Sequence, residues 1–223
     1  VAALLPIIGE GHPATPAIFD LDGDGDMEIL DPIMIGQTGV KDHKGEEVLP
    51  LTYFSDQYGE QTNTDEPSFV ALSNNPAIGD LDGDGVKDLV LGGSGSYALV
   101  GLALTTAVEF QHVIAAWSGA TGEFLPGFPR QIEDFQFLVA PAIADVSGDG
   151  LPEVIYASAG SLVHAWDMNG VEAPGFPKNT GQWLLGSPAV GDIDGDGYVE
   201  VVVTTREGQI FAWRTQGHAD QEI

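Results

Sequence analysis

Residues 76–93 read PAIGDLDGDGVKDLVLGG, which sets four carboxylates within nine residues and follows them at once with an apolar run. Like charges held that close repel, so something must gather their oxygens. A hard cation, bound in a glycine-bent loop by carboxylate and carbonyl ligands, meets that need. The stretch has three counterparts: PAIFDLDGDGDMEIL from Pro16, PAIADVSGDGLPEVI from Pro141 and PAVGDIDGDGYVEVV from Pro188. The first Asp of each copy falls at 20, 80, 145 and 192, giving intervals of 60, 65 and 47 residues. Intervals of that size suit a four-stranded propeller blade better than a helical solenoid repeat.

The register extends past the acidic stretch. Trp166 and Trp213 each lie 21 residues after the first Asp of their copy, within SLVHAWDMNG and GQIFAWRTQG, and HVIAAWSGATG, carrying Trp117, is the same element after a longer insertion. A second shared phrase follows, GEFLPGFP at 122–129 and GVEAPGFP at 170–177. Each unit thus reads as strand, acidic turn, strand, turn, strand ending in Ala-Trp, Gly turn and a short Pro-containing edge strand, where no ladder donor is required. Continuous β-branched runs such as Val154-Ile155-Tyr156 and Val201-Val202-Val203 predict strands buried on both faces, and no segment has a helical period. The first copy departs from the pattern: Lys41 stands where the tryptophan is expected, and 61–75 (QTNTDEPSFVALSNN) reads as a polar insertion that protrudes. The expected architecture is an all-β propeller of four repeat blades, at approximately 9–72, 73–135, 136–182 and 183–223, with 1–8 as an edge strand.

Composition narrows the function classes. A hydrophobic content of 43% over 223 residues is enough for a sizeable core. With 34 acidic residues against 7 Lys and Arg, the formal charge of −27 repels phosphate backbones and anionic lipid, so nucleic acid and acidic membranes are poor partners and cations are good ones. The absence of cysteine removes disulfides, thiolate metal sites and cysteine nucleophiles, and suits a bacterial secreted protein. The first residue, Val1, is preceded by no Met and followed by no charged-then-apolar leader, which reads as a mature or excised segment. The uncharged stretch at 97–108 is too short to span a bilayer.

In the pattern D-x-D-G-D-G-x-x-D/E, positions 1, 3 and 5 bring side-chain oxygens to one side of a tight loop. Glycine at 6 permits the sharp turn, position 7 offers its carbonyl, and position 9 supplies the last carboxylate. This is the front half of an EF-hand loop closed three residues early, because the chain enters a strand instead of a helix. The candidate side-chain ligands are Asp20, Asp22, Asp24 and Glu28; Asp80, Asp82, Asp84 and Asp88; Asp145, Ser147, Asp149 and Glu153; Asp192, Asp194, Asp196 and Glu200. The carbonyls would come from Asp26, Val86, Leu151 and Tyr198, and Asp26 adds a further carboxylate to the first loop. A single DGDG would read equally well as a polar hairpin turn, but four copies in which only Ser147 deviates argue for a ligand set. Oxygen-only ligation, with no cysteine and no paired histidine, selects calcium over zinc or copper, with magnesium the weaker alternative. About four Ca²⁺ are expected, the third bound most weakly because Ser147 replaces a carboxylate.

Residues 79–93, with the other three acidic loops and the Ala-Trp and PGFP phrases, resemble the FG-GAP/VCBS-type calcium-binding repeats of integrin α-subunit propellers and of many bacterial secreted proteins. The "FG" is replaced by Pro-Ala and the "GAP" survives only as Gly92-Gly93-Ser94, which places the chain nearer the bacterial branch. The resemblance implies a β-propeller with calcium in its inter-strand loops and no single activity.

No catalytic constellation is legible. His12, His43, His112, His164 and His218 do not pair at metal-ligand spacing, and no G-x-S-x-G, P-loop or H-E-x-x-H occurs. Trp117, Trp166 and Trp213 share one repeat position and read as packing between blades, leaving Trp183 as the freer surface aromatic. The leading expectation is a secreted or cell-surface binding or adhesion scaffold for a protein or glycan ligand, with no membrane insertion. A carbohydrate-active enzyme of polysaccharide lyase type is the alternative from another class, but the 7 Lys and Arg form no cluster to neutralise a uronate. A structural subunit of an extracellular assembly is the third. The fourth unit ends without its PGFP strand, so either residues 2–8 pair with the Trp213 strand and close a four-bladed ring, or the chain is four blades of a ring of about seven. The resemblance favours the open array, completed by another chain or chain segment.

Overall fold

The computed structural model describes residues 15–32, 39–51, 71–73, 75–95, 112–133 and 139–221. Within them, sixteen strands and no helix form four antiparallel sheets that follow one another along the chain. The first sheet is β1 (Ala17–Phe19), β2 (Glu28–Leu30), β3 (Gly39–Lys41) and β4 (Glu47–Pro50) in order. The second is β6 (Ala77–Gly79), β7 (Asp88–Gly95), β8 (His112–Trp117) and β9 (Arg130–Gln131), with β5 (Ala71–Ser73) continuing the β6 edge along β7. The third is β10 (Ala142–Ala144), β11 (Glu153–Ala157), β12 (Leu162–Trp166) and β13 (Lys178–Asn179). The fourth has three strands, β14 (Ala189–Gly191), β15 (Tyr198–Thr204) and β16 (Ile210–His218).

An acidic loop joins the first strand of every sheet to the second. The pairing is the same each time: Phe19 faces Glu28, Gly79 faces Asp88, Ala144 faces Glu153 and Gly191 faces Glu200, so the last carboxylate of each loop is also the first rung of its ladder. The second and third strands keep one register too. Leu89 faces Trp117, Val154 faces Trp166, Val201 faces Trp213, and Ile29 faces Lys41. Lys41 therefore occupies the tryptophan position of the first sheet, as its spacing from Asp20 implies.

Successive side chains of a strand point to opposite faces, and here both faces are covered. From the second sheet, Leu89, Leu91, Ala115 and Trp117 pack with Leu21, Leu30 and Val40 of the first. The intervening Val90, Ile114 and Ala116 pack with Ile155 and Val163 of the third sheet, in a core that runs on to Val201 and Val203 of the fourth. This is why β8 and β11 are buried at every residue. The first strands of consecutive sheets lie side by side, β1 by β6, β6 by β10 and β10 by β14.

Two expectations are corrected. The PGFP phrase is not the fourth strand of its sheet but the turn before it: the Phe128 N–H donates to the Leu125 carbonyl (2.9 Å) and the Phe176 N–H to the Ala173 carbonyl (3.0 Å), around Pro126-Gly127 and Pro174-Gly175. Proline then glycine at the two central positions is a type II turn signature; Gly175 has the positive φ (84°) that it requires, whereas Gly127 is not left-handed. The strands β9 and β13 begin just after it. Second, the polar insertion at 61–75 does not run unbroken, since Ala71–Ser73 pairs with β7. Residues 61–70 and 74 of that insertion, the edge strand at 1–8, residues 97–108 and His12 lie outside the described residues. Among the described residues no helix is long and apolar enough to cross a membrane.

Candidate metal centres

The four acidic loops share one hydrogen-bond frame. The first Asp of each, Asp20, Asp80, Asp145 or Asp192, accepts through Oδ1 from the glycine N–H three residues on, at 2.7, 2.7, 2.6 and 2.7 Å. Its Oδ2 accepts from the glycine N–H five residues on, at 3.1, 2.9, 2.9 and 2.9 Å. Both glycines adopt left-handed backbone, with φ near 77° at Gly23 and 92° at Gly25 and the same pattern in the other copies. The sharp turn expected at the second glycine is thus shared with the first. The first, also invariant across the four copies, is required for the same reason: a side chain at that φ is strained.

The ninth position closes the loop from below. Glu28, Asp88, Glu153 and Glu200 are buried, and each accepts the N–H of the residue after the first Asp: Leu21, Leu81 and Val146 at 2.8 Å and Ile193 at 3.0 Å. A buried, ionisable base therefore stands beneath carboxylates that are half-buried or exposed, except in the third loop, where Asp145 is buried too. Oxygens of three residues lie within 4.8 Å of one another in each loop: Asp20, Asp22 and Glu28; Asp80, Asp82 and Asp88; Asp145, Asp149 and Glu153; Asp192, Asp194 and Glu200.

Position 5 is held differently. Asp24, Asp84, Asp149 and Asp196 each use Oδ1 to accept the N–H of the position 7 residue, Asp26, Val86, Leu151 or Tyr198, at 2.7 to 3.0 Å. Of these, only Asp149 belongs to the convergent trio, in the loop where Ser147 has no carboxylate to give. The Ser147 hydroxyl lies 3.4 Å from Asp145 Oδ1 as a donor. In the fourth loop, Asp196 Oδ2 pairs with Arg214 Nη1 at 2.8 Å, and that guanidinium lies over the Tyr198 ring.

The electrostatics follow from burial. Removal from water pushes the Asp88 carboxyl up to about 6, against the lowering effect of the Gly119 and Leu81 N–H groups, with Asp82 and Asp84 adding to the rise. Burial also raises Glu153. Half-buried Asp192 moves the other way, lowered chiefly by the Gly197 N–H. Clustered carboxylates with a desolvated member are short of positive charge, and the donors present are all oxygen, so the chemistry of each set fits a hard divalent cation.

A family model for an FG-GAP-like repeat matches residues 145–203, from the third acidic loop through most of β15. No curated protein matches the sequence. Among solved structures, the chain is similar to the V. cholerae biofilm matrix protein Bap1, with 19% identity and a TM-score of 0.55 over 92% of this chain and 27% of that one. The chain therefore spans about a quarter of Bap1. It is also similar to the computationally designed Ika4 protein, with 13% identity and a TM-score of 0.50 over 92% of this chain and 94% of that one. BBS1N, solved in complex with ARL6DN, shares 10% identity and a TM-score of 0.51 over 96% of this chain and 56% of its own. At these identities the likenesses speak to the fold.

Between residues 145 and 203, His164, which no metal-ligand spacing singles out, has partners on both sides. His164 Nε2 lies 2.8 Å from Glu133 Oε1, His164 Nδ1 bonds Glu172 Oε1, and the ring stacks on Trp166 at 4.4 Å. Glu133 follows β9 of the second sheet, so this contact ties two sheets, and no local sequence pattern announces it. Trp117 and Trp166 are buried as expected. Trp183 is 52% exposed, with the Arg206 guanidinium over its ring.

Proposed function

We propose that the chain is a calcium-stabilised β-propeller, or four consecutive blades of one, that serves as an extracellular binding or adhesion scaffold. The observation that carries this reading is the fourfold recurrence of one loop geometry: three convergent carboxylate-bearing residues, a buried closing base and two left-handed glycines, each between the first two strands of a sheet. The four sheets are the blades, and the sheet-to-sheet cores are the packing between them. Each loop holds one Ca²⁺ through its carboxylates and the carbonyl of Asp26, Val86, Leu151 or Tyr198, with Ser147 offering a hydroxyl oxygen in the third. Four divalent ions would offset part of the −27 formal charge and relieve repulsion between the loops.

The partner is a protein or glycan met outside the cell, a role supported by the FG-GAP-like repeat and by the shared fold of a biofilm matrix protein. Thermal unfolding in calcium and in chelator tests the first half. A site filled at a hundredfold over its Kd adds about 2.7 kcal/mol, so several sites should raise the midpoint by more than about 10 °C; an unchanged midpoint overturns the calcium reading. Binding to a glycan or protein array without product release supports the scaffold, and release of unsaturated uronate products would replace it with a lyase.

A further inference from the structure

The third acidic loop is the one that lost a carboxylate, and it is also the one that another sheet covers. After β16 the chain leaves the fourth loop, where the Ala219 N–H donates to the Gly197 carbonyl at 3.0 Å, and reaches the third. There the Gln221 side chain clasps the main chain of Asp145: Oε1 accepts the Asp145 N–H at 2.7 Å, and Nε2 donates to the Asp145 carbonyl at 3.0 Å. The Gln216 N–H donates to the Val146 carbonyl at 3.1 Å. Gly217 lies so close that a Cβ there would stand 1.7 Å from the Asp145 oxygen. Between these anchors sits Asp220, which makes no hydrogen bond or ion pair among the described residues. With Asp145, Asp149 and His218 it lines a cleft of about 400 Å³.

We propose that Asp220, exposed at the cleft and outside the convergent trio of Asp145, Asp149 and Glu153, supplies the third loop, through a bridging water, with the carboxylate that Ser147 withholds, so that the third cation is bound between two sheets. This rests on the calcium reading of that loop. Loops 1, 2 and 4 each draw four carboxylates from within nine residues; the third draws three from itself and the fourth from the segment that Gln221 pins beside it. Charge count and rigidity set calcium affinity in oxygen sites, and the Gln221 clasp provides the second. The sequence expectation that this site is the weakest is thereby reversed: its affinity should match that of its neighbours.

The test is a calcium titration of the full chain followed by residue-resolved NMR at Gly150, in the third loop, and Gly197, in the fourth. Asp220→Asn should weaken binding at Gly150 by about tenfold, as loss of a supporting ligand typically does, and leave Gly197 unchanged. Ser147→Asp should add little to the native chain yet restore the Asp220→Asn variant, a non-additivity expected only if the two positions serve one ion. Equal weakening at both glycines, no weakening, or a Ser147→Asp gain independent of Asp220 overturns the proposal. Absence of calcium binding at every loop of the native chain overturns the calcium reading and this inference with it.

Discussion

The third and fourth acidic loops both lie in the stretch matched by the FG-GAP-like family model, have the same backbone hydrogen bonds, and meet opposite surroundings. In the third, Asp145 is 8% exposed, and residues 216–221 lie across it. In the fourth, the loop faces solvent with a complete carboxylate set, and its only ion pair among the described residues is the Arg214 contact to Asp196. Loop conformation is thus a local property, whereas the surroundings of its carboxylates are conferred by whatever strand passes next to it. Within the loops themselves, burial raises the Glu153 carboxyl, while Asp192 is lowered, chiefly by the Gly197 N–H.

The sharpest way to break this contrast is to pry the covering segment off. Gly217→Ala places a methyl group inside the Asp145 carbonyl contact, and should cost more than about 3 kcal/mol in urea unfolding. Gly191→Ala, at the entry to the fourth loop where a Cβ meets nothing within 4 Å, should change stability by less than about 0.5 kcal/mol. Similar costs at the two positions would mean that the third loop is no more tightly covered than the fourth.

Next in size are the buried bases. Glu153→Ala strands the N–H groups of Val146 and Ser147, whereas Glu200→Ala strands that of Ile193. In chelator the first should cost about 2–3 kcal/mol and the second about 1–2 kcal/mol. Equal losses in calcium-free urea melts would remove the difference.

A pH comparison sharpens it further, with Asp88 of the second loop as the buried extreme. Its carboxyl is raised to about 6 from 3.8, so the folded state takes up the proton more readily, and metal-free stability from this group grows as pH falls through about 6 and is complete below 3.8. Asp192 is lowered, so its contribution is present above 3.8 and disappears as pH falls below that. Acidification from pH 7 to 5 should therefore release calcium from the second loop before the fourth; simultaneous release in an NMR-monitored titration at Gly85 and Gly197 would contradict this. The smallest effect is expected from Arg214→Gln. Loss of an exposed ion pair costs well under about 1 kcal/mol, while the freed Asp196 should strengthen calcium binding at the fourth loop by a few-fold, and only at low salt.

What the residues alone determined about this chain is what nine consecutive residues can settle. The carboxylates at positions 1, 5 and 9 find their N–H partners within seven residues, so a string such as DIDGDGYVE encodes its loop wherever it is placed, and the Asp-to-Trp interval carries the register of the next strand even where Lys41 replaces the tryptophan. The first glycine of each loop is as constant across the four copies as the second, so its left-handed backbone is encoded in the repeat as well. Other features depended on the packing of one sheet on the next. Gln221 reaches Asp145 across 76 residues, Glu133 reaches His164 from a neighbouring sheet, and β5 completes an edge from inside a segment that reads as polar insertion. Such contacts have no period and no fixed spacing. They exist only after hydrophobic faces such as Val90 against Ile155 have stacked the sheets, so only the tertiary structure decides which acidic loop is open to solvent and which is covered.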